Sequence, residues 1–359
     1  MKIENRIKAF DYLGKYLSAL IANDMKALPE SDLQQWSDNI TEIQTIEKKL
    51  LDYYEFAHHY NPWFIQEFVL FALKDWAKAL QGQALHNWIE PYSLNETNDI
   101  KTIGVVMAGN LPIVGFHDYL SVLMSGHKLL AKLSSDDAIL LPLLHQLLGV
   151  FEPSFVEMAS FTKDQLKDFD AIIATGSNNT SRYFEYYFGK YPNIIRKNRS
   201  GVAVLTGKES IAELENLGTD IMAYFGLGCR SVSKLYVPKG YEFRPLFETL
   251  EKHQYLANHH KFFNNYEYNK AIFLVNRVMH RDTGFLLFKE DVGMSSPISV
   301  IYYEEYTDEQ QLKETLKIRQ EEIQCVLGKN EEIPLGQSQH PQLNDYADNI
   351  DTMLFLRDL

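Results

Sequence analysis

Cys229 stands in Gly226-Leu227-Gly228-Cys229-Arg230-Ser231, a thiol flanked by glycines and followed by a cation. Glycine leaves the backbone around it accessible, and Arg230 or a nearby helix start would raise the thiolate fraction, the form in which a cysteine attacks. The competing reading is a small buried hydrophobe, the commonest state of a cysteine. Cys325, in Ile323-Gln324-Cys325-Val326-Leu327, fits that second reading much better. Gly109-Asn110-Leu111-Pro112 follows a strand signal, so the Asn110 amide can offer a donor to a developing oxyanion, or simply stabilise a turn. Thr175-Gly176-Ser177 opens a helix and can cradle phosphate on backbone N–H groups, or act as a plain cap. Lys132, at the end of another strand signal, has the reach for a ribose or a 2′-phosphate, with an exposed stem and head as the alternative.

The sequence holds no G-x-G-x-x-G, Walker A, H-E-x-x-H or G-x-S-x-G pattern, which weakens a conventional nucleotide fingerprint, a zincin and a serine hydrolase. His253, His259 and His260, with His58-His59 elsewhere, include adjacent pairs that point different ways, so no metal is expected and surface or acid/base roles fit them better. The two cysteines make no zinc or disulfide spacing, as in a reduced, cytoplasmic chain. Lys plus Arg number 35 against 48 Asp plus Glu, a net charge of −13, and that field repels phosphate backbones and anionic surfaces. No nucleic-acid partner is expected, although a local basic pocket is compatible with the total. Met1-Lys2-Ile3-Glu4-Asn5-Arg6 lacks the apolar core of a signal peptide. The most apolar stretch, 138–151, carries Pro142 and His145 and is too short to span a bilayer.

The elements that must position these residues alternate. A chain of 359 residues suggests two domains, and 45% hydrophobic with 23% charged residues suits a globular enzyme with a large core. Residues 1–95 read as helical and aromatic, with apolar residues at three- and four-residue spacing in 7–13 and 64–80. Buried-strand signals follow at 102–107, 129–133, 171–174 and 202–205, most of them ending in a Gly- or Ser-rich turn. Ser134-Ser135-Asp136-Asp137 are expected to cap a helix from Ala138, and an aromatic helix is expected at 182–188. This order predicts a doubly wound parallel sheet with the turns at Gly109, Ser134 and Gly176 on one edge. A second α/β unit is expected after Lys208, with a helix at 213–225 and strands at 234–238, 271–275, 285–288 and 298–302, closed by a charged helix at 308–324. Met353-Leu354-Phe355-Leu356 reads as an apolar strand that would pair with another sheet or another subunit.

Six segments, taken in order, resemble the aldehyde dehydrogenase superfamily. They are Ala108-Gly109-Asn110-Leu111-Pro112-Ile113-Val114-Gly115-Phe116-His117-Asp118; Leu130-Ala131-Lys132-Leu133-Ser134-Ser135; Ala174-Thr175-Gly176-Ser177-Asn178-Asn179-Thr180; Ile195-Arg196-Lys197-Asn198-Arg199; Gly226-Leu227-Gly228-Cys229-Arg230; and Lys289-Glu290-Asp291 followed by Ser296-Pro297-Ile298-Ser299. The likeness covers residues 100–359 and is greater to the acyl-CoA reductase branch, the LuxC-type reductase subunit of fatty-acid reductase. Each motif alone is weak, whereas six in the superfamily's order are specific. The resemblance implies an aldehyde dehydrogenase-like α/β fold with two doubly wound domains. These are a nicotinamide cofactor-binding domain at 96–207 and a catalytic domain at 208–328, with a helical N-terminal region at 1–95 packed on the former and a C-terminal oligomerisation strand within the arm 329–359.

The resemblance also assigns roles. Cys229 would be the nucleophile, and Asn110 with the Cys229 N–H would form the oxyanion hole. Lys132, with Ser134 beside it, would hold the adenosine ribose or its phosphate. Gly176 and Ser177 would sit against the pyrophosphate, and Glu290 would bind the nicotinamide ribose, with a solvated charge beside Lys289 as the alternative. The implied cofactor is NADPH or NADH. The implied substrate is a fatty acyl-CoA or acyl-carrier thioester, reduced to the aldehyde through an acyl-cysteine by a homodimer or higher homo-oligomer, with an acyl-transferring protein as a further partner. Hydrolytic aldehyde dehydrogenases carry a glutamate just before the strand at 202–205, where it activates water. This chain has Asn193-Ile194-Ile195-Arg196-Lys197-Asn198-Arg199-Ser200 there, with no carboxylate, which suits acyl exchange with a thiol and reduction. Arg196, Lys197 and Arg199 are either phosphate-receiving cations or a solvated turn. The 21 Tyr and 21 Phe residues either wall an acyl channel or fill the core. A cysteine acyltransferase or thioesterase without nicotinamide, and a non-catalytic scaffold of the same fold, are the competing functions.

Overall fold

The computed structural model describes residues 1–94, 99–176 and 178–359, so Ser177, one of the expected cofactor contacts, lies outside the described residues. The chain divides into two compact units, residues 1–197 with 342–359, and residues 198–341. The division follows Lys197, ahead of the boundary after residue 207 expected from the strand signals.

Unit 1 opens with helices α1 (Ile3–Ala22), α2 (Glu30–Leu33), α3 (Ile40–Tyr60), α4 (Gln66–Ala79) and α5 (Gly82–Ile89). Phe10, Leu13, Leu17 and Leu20 recur at three- and four-residue spacing along α1 and are wholly buried, the mark of a helix with one face in a core. Then come β1 (Thr102–Val106), α6 (Phe116–Ser125), β2 (Lys128–Lys132), α7 (Leu140–Phe151), β3 (Ala159–Thr162), β4 (Ala171–Thr175), α8 (Asn178–Phe188) and β5 (Asn193–Arg196). α1 lies against α4 and α7, and α3 against α7, which fastens the N-terminal helices to this sheet. The strands pair in parallel in the order β3-β2-β1-β4-β5. Apolar runs such as Ala171 to Ala174, buried throughout, suit strands covered on both faces. Strand order reverses between β1 and β4, the point at which a doubly wound sheet opens a ligand crevice at its carboxyl ends. Val106 pairs with Lys132 on one side and Ala174 on the other, so the turns at Gly109, Ser134 and Gly176 leave the same edge.

Unit 2 contains β6 (Ser200–Val204), α9 (Ile211–Met222), β7 (Val232–Pro238), α10 (Arg244–Leu250), α11 (His260–Val275), β8 (Arg281–Asp282), β9 (Leu287–Glu290), β10 (Val300–Tyr306), α12 (Glu309–Ile318) and β11 (Ile323–Gly328). Its sheet has the order β11-β6-β7-β10-β9-β8, parallel except for the short antiparallel β8. Ser210 and Glu213 cap α9 reciprocally, side chain to backbone in both directions. The tail then returns to unit 1 as α13 (Thr352–Arg357), packed on α6.

Several sequence expectations change. The strand at 202–205 is β6 and belongs to the second sheet; the place beside β4 is taken by β5, where the inward Arg196 interrupts the apolar pattern. Residues 271–275 are the last turn of α11, in which Phe273 is buried while Leu274 and Val275 face solvent. The charged helix stops at Ile318, and 323–328 form a further strand, β11. The expected C-terminal oligomerisation strand is a helix docked on its own unit: Met353 and Leu356, three apart, are wholly buried, Leu354 between them is exposed, and Asp351 caps the turn by accepting from Leu354 N at 2.8 Å. Among the described residues no helix is long and apolar enough to cross a membrane.

Candidate active site

In unit 1, β1 extends its pairing through Met107 N, which donates to Lys132 O at 3.0 Å, before the chain turns at Ala108. Gly109 is buried there: a Cβ would collide with the Ser134 side chain and lie 3.3 Å from Asp137 N, so the turns after β1 and β2 touch through a position that only glycine fits. Asn110, next in the chain, is exposed. Ile113 is left-handed, φ 48°, and buried, and its N–H donates to Asp137 Oδ2 at 2.6 Å. Burial pushes the Asp137 carboxyl up to about 7, opposed by that backbone donor. Asn61, buried between α3 and α4, accepts from Trp63 N at 3.0 Å and directs its amide at Gly109 O and Asp136 O, 3.5 and 3.4 Å away.

Lys132 and Ser134 are half-buried at the end of β2 and in the turn beyond it. The Ser134 to Asp137 run does not cap the next helix as expected. Ser134 Oγ accepts Asp136 N at 3.3 Å within its own turn, Asp137 turns inward to Ile113, and α7 begins only at Leu140. Gly176 is half-buried after β4, and a Cβ there would meet the Phe184 ring at 2.9 Å, so glycine lets α8 start close to the strand. Arg196 is not a phosphate receiver: it is buried on β5, its Nη1 donates to buried Asp118 Oδ2 at 2.7 Å, and its Nη2 to Thr352 Oγ1 at 2.9 Å. Lys197 pairs with Glu185 at 3.1 Å.

In unit 2, α9 ends at Met222, and Tyr224, Phe225 and Gly226 follow with φ of 53°, 57° and 73°. Consecutive left-handed non-glycine residues are strained, and packing holds them: both aromatic residues are buried, with the Phe225 ring 4.4 Å from His259. Cys229 is exposed in the turn that follows and leads into β7, so the helix start expected beside it is absent; a strand begins there instead. The turn is closed by Ser231 N donating to Gly228 O at 3.0 Å and by Gly228 N donating to Ser231 Oγ at 3.2 Å. A Cβ on Gly201 of β6 would lie 2.5 Å from Arg230 O and 2.8 Å from Ser231 O, so the Cys229 turn rests on bare backbone. Cys325 is buried on β11, its Sγ 3.8 Å from Arg230 O, in keeping with its reading as a small core residue.

Glu290 is exposed as the last residue of β9. The next residue, Asp291, accepts Lys289 Nζ at 2.5 Å and Gly293 N at 2.8 Å, and the Lys289 bond holds its carboxyl below the usual range. Lys234 of β7 is wholly buried beneath this segment, donating to Asp291 O and, at 2.9 Å, to Glu304 Oε2, while burial pulls its pKa down. Asn61 and Lys234 carry no functional signal in the sequence, and Asp137 reads there only as part of a helix cap. Among the described residues there is no cluster of three or more His, Cys, Asp or Glu able to hold a metal ion.

No family model matches this chain, and no curated protein matches it. Solved structures do. Aldehyde dehydrogenase 21 from Physcomitrella patens, in complex with succinate, aligns with a TM-score of 0.59 at 12% identity over 100% of this chain and 84% of its own. Thermus thermophilus 1-pyrroline-5-carboxylate dehydrogenase gives 0.60 at 11% over 99% and 80%. A mutant of aldehyde dehydrogenase C from Pseudomonas syringae, solved with NAD+ and octanal, gives 0.61 at 9% over 92% and 78%. Two α/β units, each with its own largely parallel sheet, and these alignments over nearly the whole chain lead to one conclusion: the chain has the aldehyde dehydrogenase fold.

Proposed function

We propose that this chain is an NAD(P)H-dependent reductase that takes a fatty acyl thioester, carried on coenzyme A or an acyl carrier, to the aldehyde through an acyl-Cys229 intermediate. The observation that carries the reading is the exposed Cys229 thiol on a turn at the head of β7 that is closed through Gly228 and Ser231 and seated against Gly201. In this reading unit 1 is the cofactor domain and unit 2 the catalytic domain.

The Cys229 thiolate adds to the thioester carbonyl carbon, the bond to the departing sulfur breaks, and the released thiolate takes up a proton. The Asn110 amide and the Cys229 N–H donate to the oxyanion formed on the way. Residues 193–200 carry no carboxylate, and Arg196 among them is committed to Asp118, so these residues offer no base to activate water and the acyl-cysteine outlasts hydrolysis.

The residues present fit a dinucleotide. Gly109 and Gly176 keep side chains off the carboxyl ends of β1 and β4, and half-buried Lys132 stands at the end of β2. Lys132, Ser134, Gly176 and Ser177 would hold the adenosine and pyrophosphate, and Glu290 the nicotinamide ribose. Structures of this fold were solved with NAD+, among them the Pseudomonas syringae enzyme above. When bound, the reduced nicotinamide supplies the hydride that brings the acyl carbon to the aldehyde level. Collapse of the thiohemiacetal then returns the Cys229 thiolate and frees the aldehyde.

The test is to mix the protein with a long-chain acyl-CoA and NADPH or NADH, follow nicotinamide absorbance and identify the product, with Cys229→Ala as control. Aldehyde formed in step with nicotinamide oxidation, and none from the variant, supports the reading. Coenzyme A release with no nicotinamide consumed would replace it with acyl transfer or hydrolysis.

A further inference from the structure

We propose that Asp137 is a positioning residue for the reductase. From the turn after β2, its carboxylate holds Ile113 in a left-handed conformation and so fixes the turn after β1 that presents Asn110. The proposal rests on the reading of Asn110 as oxyanion donor.

Three features of unit 1 carry it. Ile113 is β-branched and buried at φ 48°, a conformation that persists only where surroundings enforce it, and its N–H is held at 2.6 Å by Asp137 Oδ2. The other carboxylate oxygen, Oδ1, is buried with no hydrogen-bond partner among the described residues, so a single backbone bond is what the buried group gains. Asn61 closes the arrangement from the far side, its amide directed at Gly109 O and Asp136 O, the residues preceding Asn110 and Asp137. The N-terminal helices thus brace the Asn110 turn as well as covering the sheet.

The hold is adjustable. A charged acceptor binds an amide more strongly than a neutral one, and the Asp137 carboxyl, raised to about 7 by burial, changes charge near neutrality. The titratable group facing it from α3 is Tyr53, which burial keeps neutral through this range. Asp136, its neighbour in the same turn, is exposed, and residues 108–115 carry no titratable side chain. Ionisation therefore tightens the grip on Ile113 as pH rises through the Asp137 pKa. The sign for global stability is opposite: a carboxyl with a folded pKa above its unfolded value stabilises the fold most at low pH, and that contribution is lost on the way to about 7.

The experiment compares the full-length protein with Asp137→Asn, a neutral isostere that retains an acceptor for Ile113, at pH 6 and pH 8. Amide exchange of the segment 107–116, corrected for intrinsic rates, should show more protection at pH 8 than at pH 6 in the parent, and pH-independent protection at the parent's low-pH level in the variant. Acyl thioester reduction should follow: several-fold slower in the variant at pH 8, converging with the parent at pH 6, with its inflection near pH 7 removed. Equal protection at both pH values in the parent, or a variant slowed equally at both, would overturn the proposal. Exchange that follows the expected pattern in a protein that reduces no thioester at either pH would support the hold on Ile113 and overturn the function on which its catalytic meaning depends.

Discussion

In unit 1 the turn that presents Asn110 is tied by side chains from other elements, Asn61 and Asp137, and the neighbouring edge strand β5 is anchored by the buried Arg196–Asp118 pair. In unit 2 the Cys229 turn has main chain beneath it, with two carbonyls against Gly201 and one neutral side-chain tie from Gly228 N to Ser231 Oγ, and the buried Lys234 is paired with a Glu304 that still reaches solvent. Side-chain ties can be titrated or deleted singly. A backbone seat changes only when an atom is forced into it. The Asn110 turn thus depends on a carboxylate that can change charge, whereas the Cys229 turn depends on main chain and the neutral Ser231 hydroxyl.

The largest effect should come from unit 1. Arg196→Ala leaves Asp118 buried and uncompensated, so a stability loss of about 3–5 kcal/mol is expected in chemical denaturation. A loss well under 1 kcal/mol would remove the buried pair from the comparison. Next is Gly201→Ala, whose Cβ would press on Arg230 O and Ser231 O. Backbone cannot rotate away as a side chain can, so about 1–3 kcal/mol of stability should go, together with a changed rate of Cys229 alkylation by a small thiol reagent. Unchanged stability with unchanged labelling would mean that the Cys229 turn is not seated on β6. The mildest change is Asp137→Asn, which should alter the pH dependence of the Asn110 turn while leaving Cys229 alkylation as it was.

The alternation of apolar strands with Gly- and Ser-rich turns made β1, β2 and β4 and their carboxyl edge legible, because β1 and β4 are buried on both faces and read as continuous apolar runs, whereas the short, partly exposed β3 gave no such run. β5 was hidden by Arg196, a charge that points inward only because Asp118 on α6 neutralises it, and the sequence cannot announce a pairing between residues so far apart. The four apolar residues at 353–356 are too short a run to show a period, so strand and helix were indistinguishable until α6 supplied the surface for α13. In the candidate site, the exposure of Cys229 and Asn110 followed from glycine-flanked turns after defined elements. Asp137 was illegible for the opposite reason: within Ser134-Ser135-Asp136-Asp137 it looks like a solvated cap, and only the contact between the turns after β1 and β2 turns it inward.

Whether Cys229 carries the acyl group can be read without any nicotinamide. The protein is incubated with a long-chain acyl-CoA, its intact mass is measured, and the modified residue is located by peptide mapping. The expected result is one acyl group per chain on Cys229, stable over minutes in water, absent from Cys229→Ala and discharged as aldehyde when NADPH or NADH is added. An unmodified Cys229 in a protein that nevertheless makes aldehyde, or an acyl group on another residue, would contradict it.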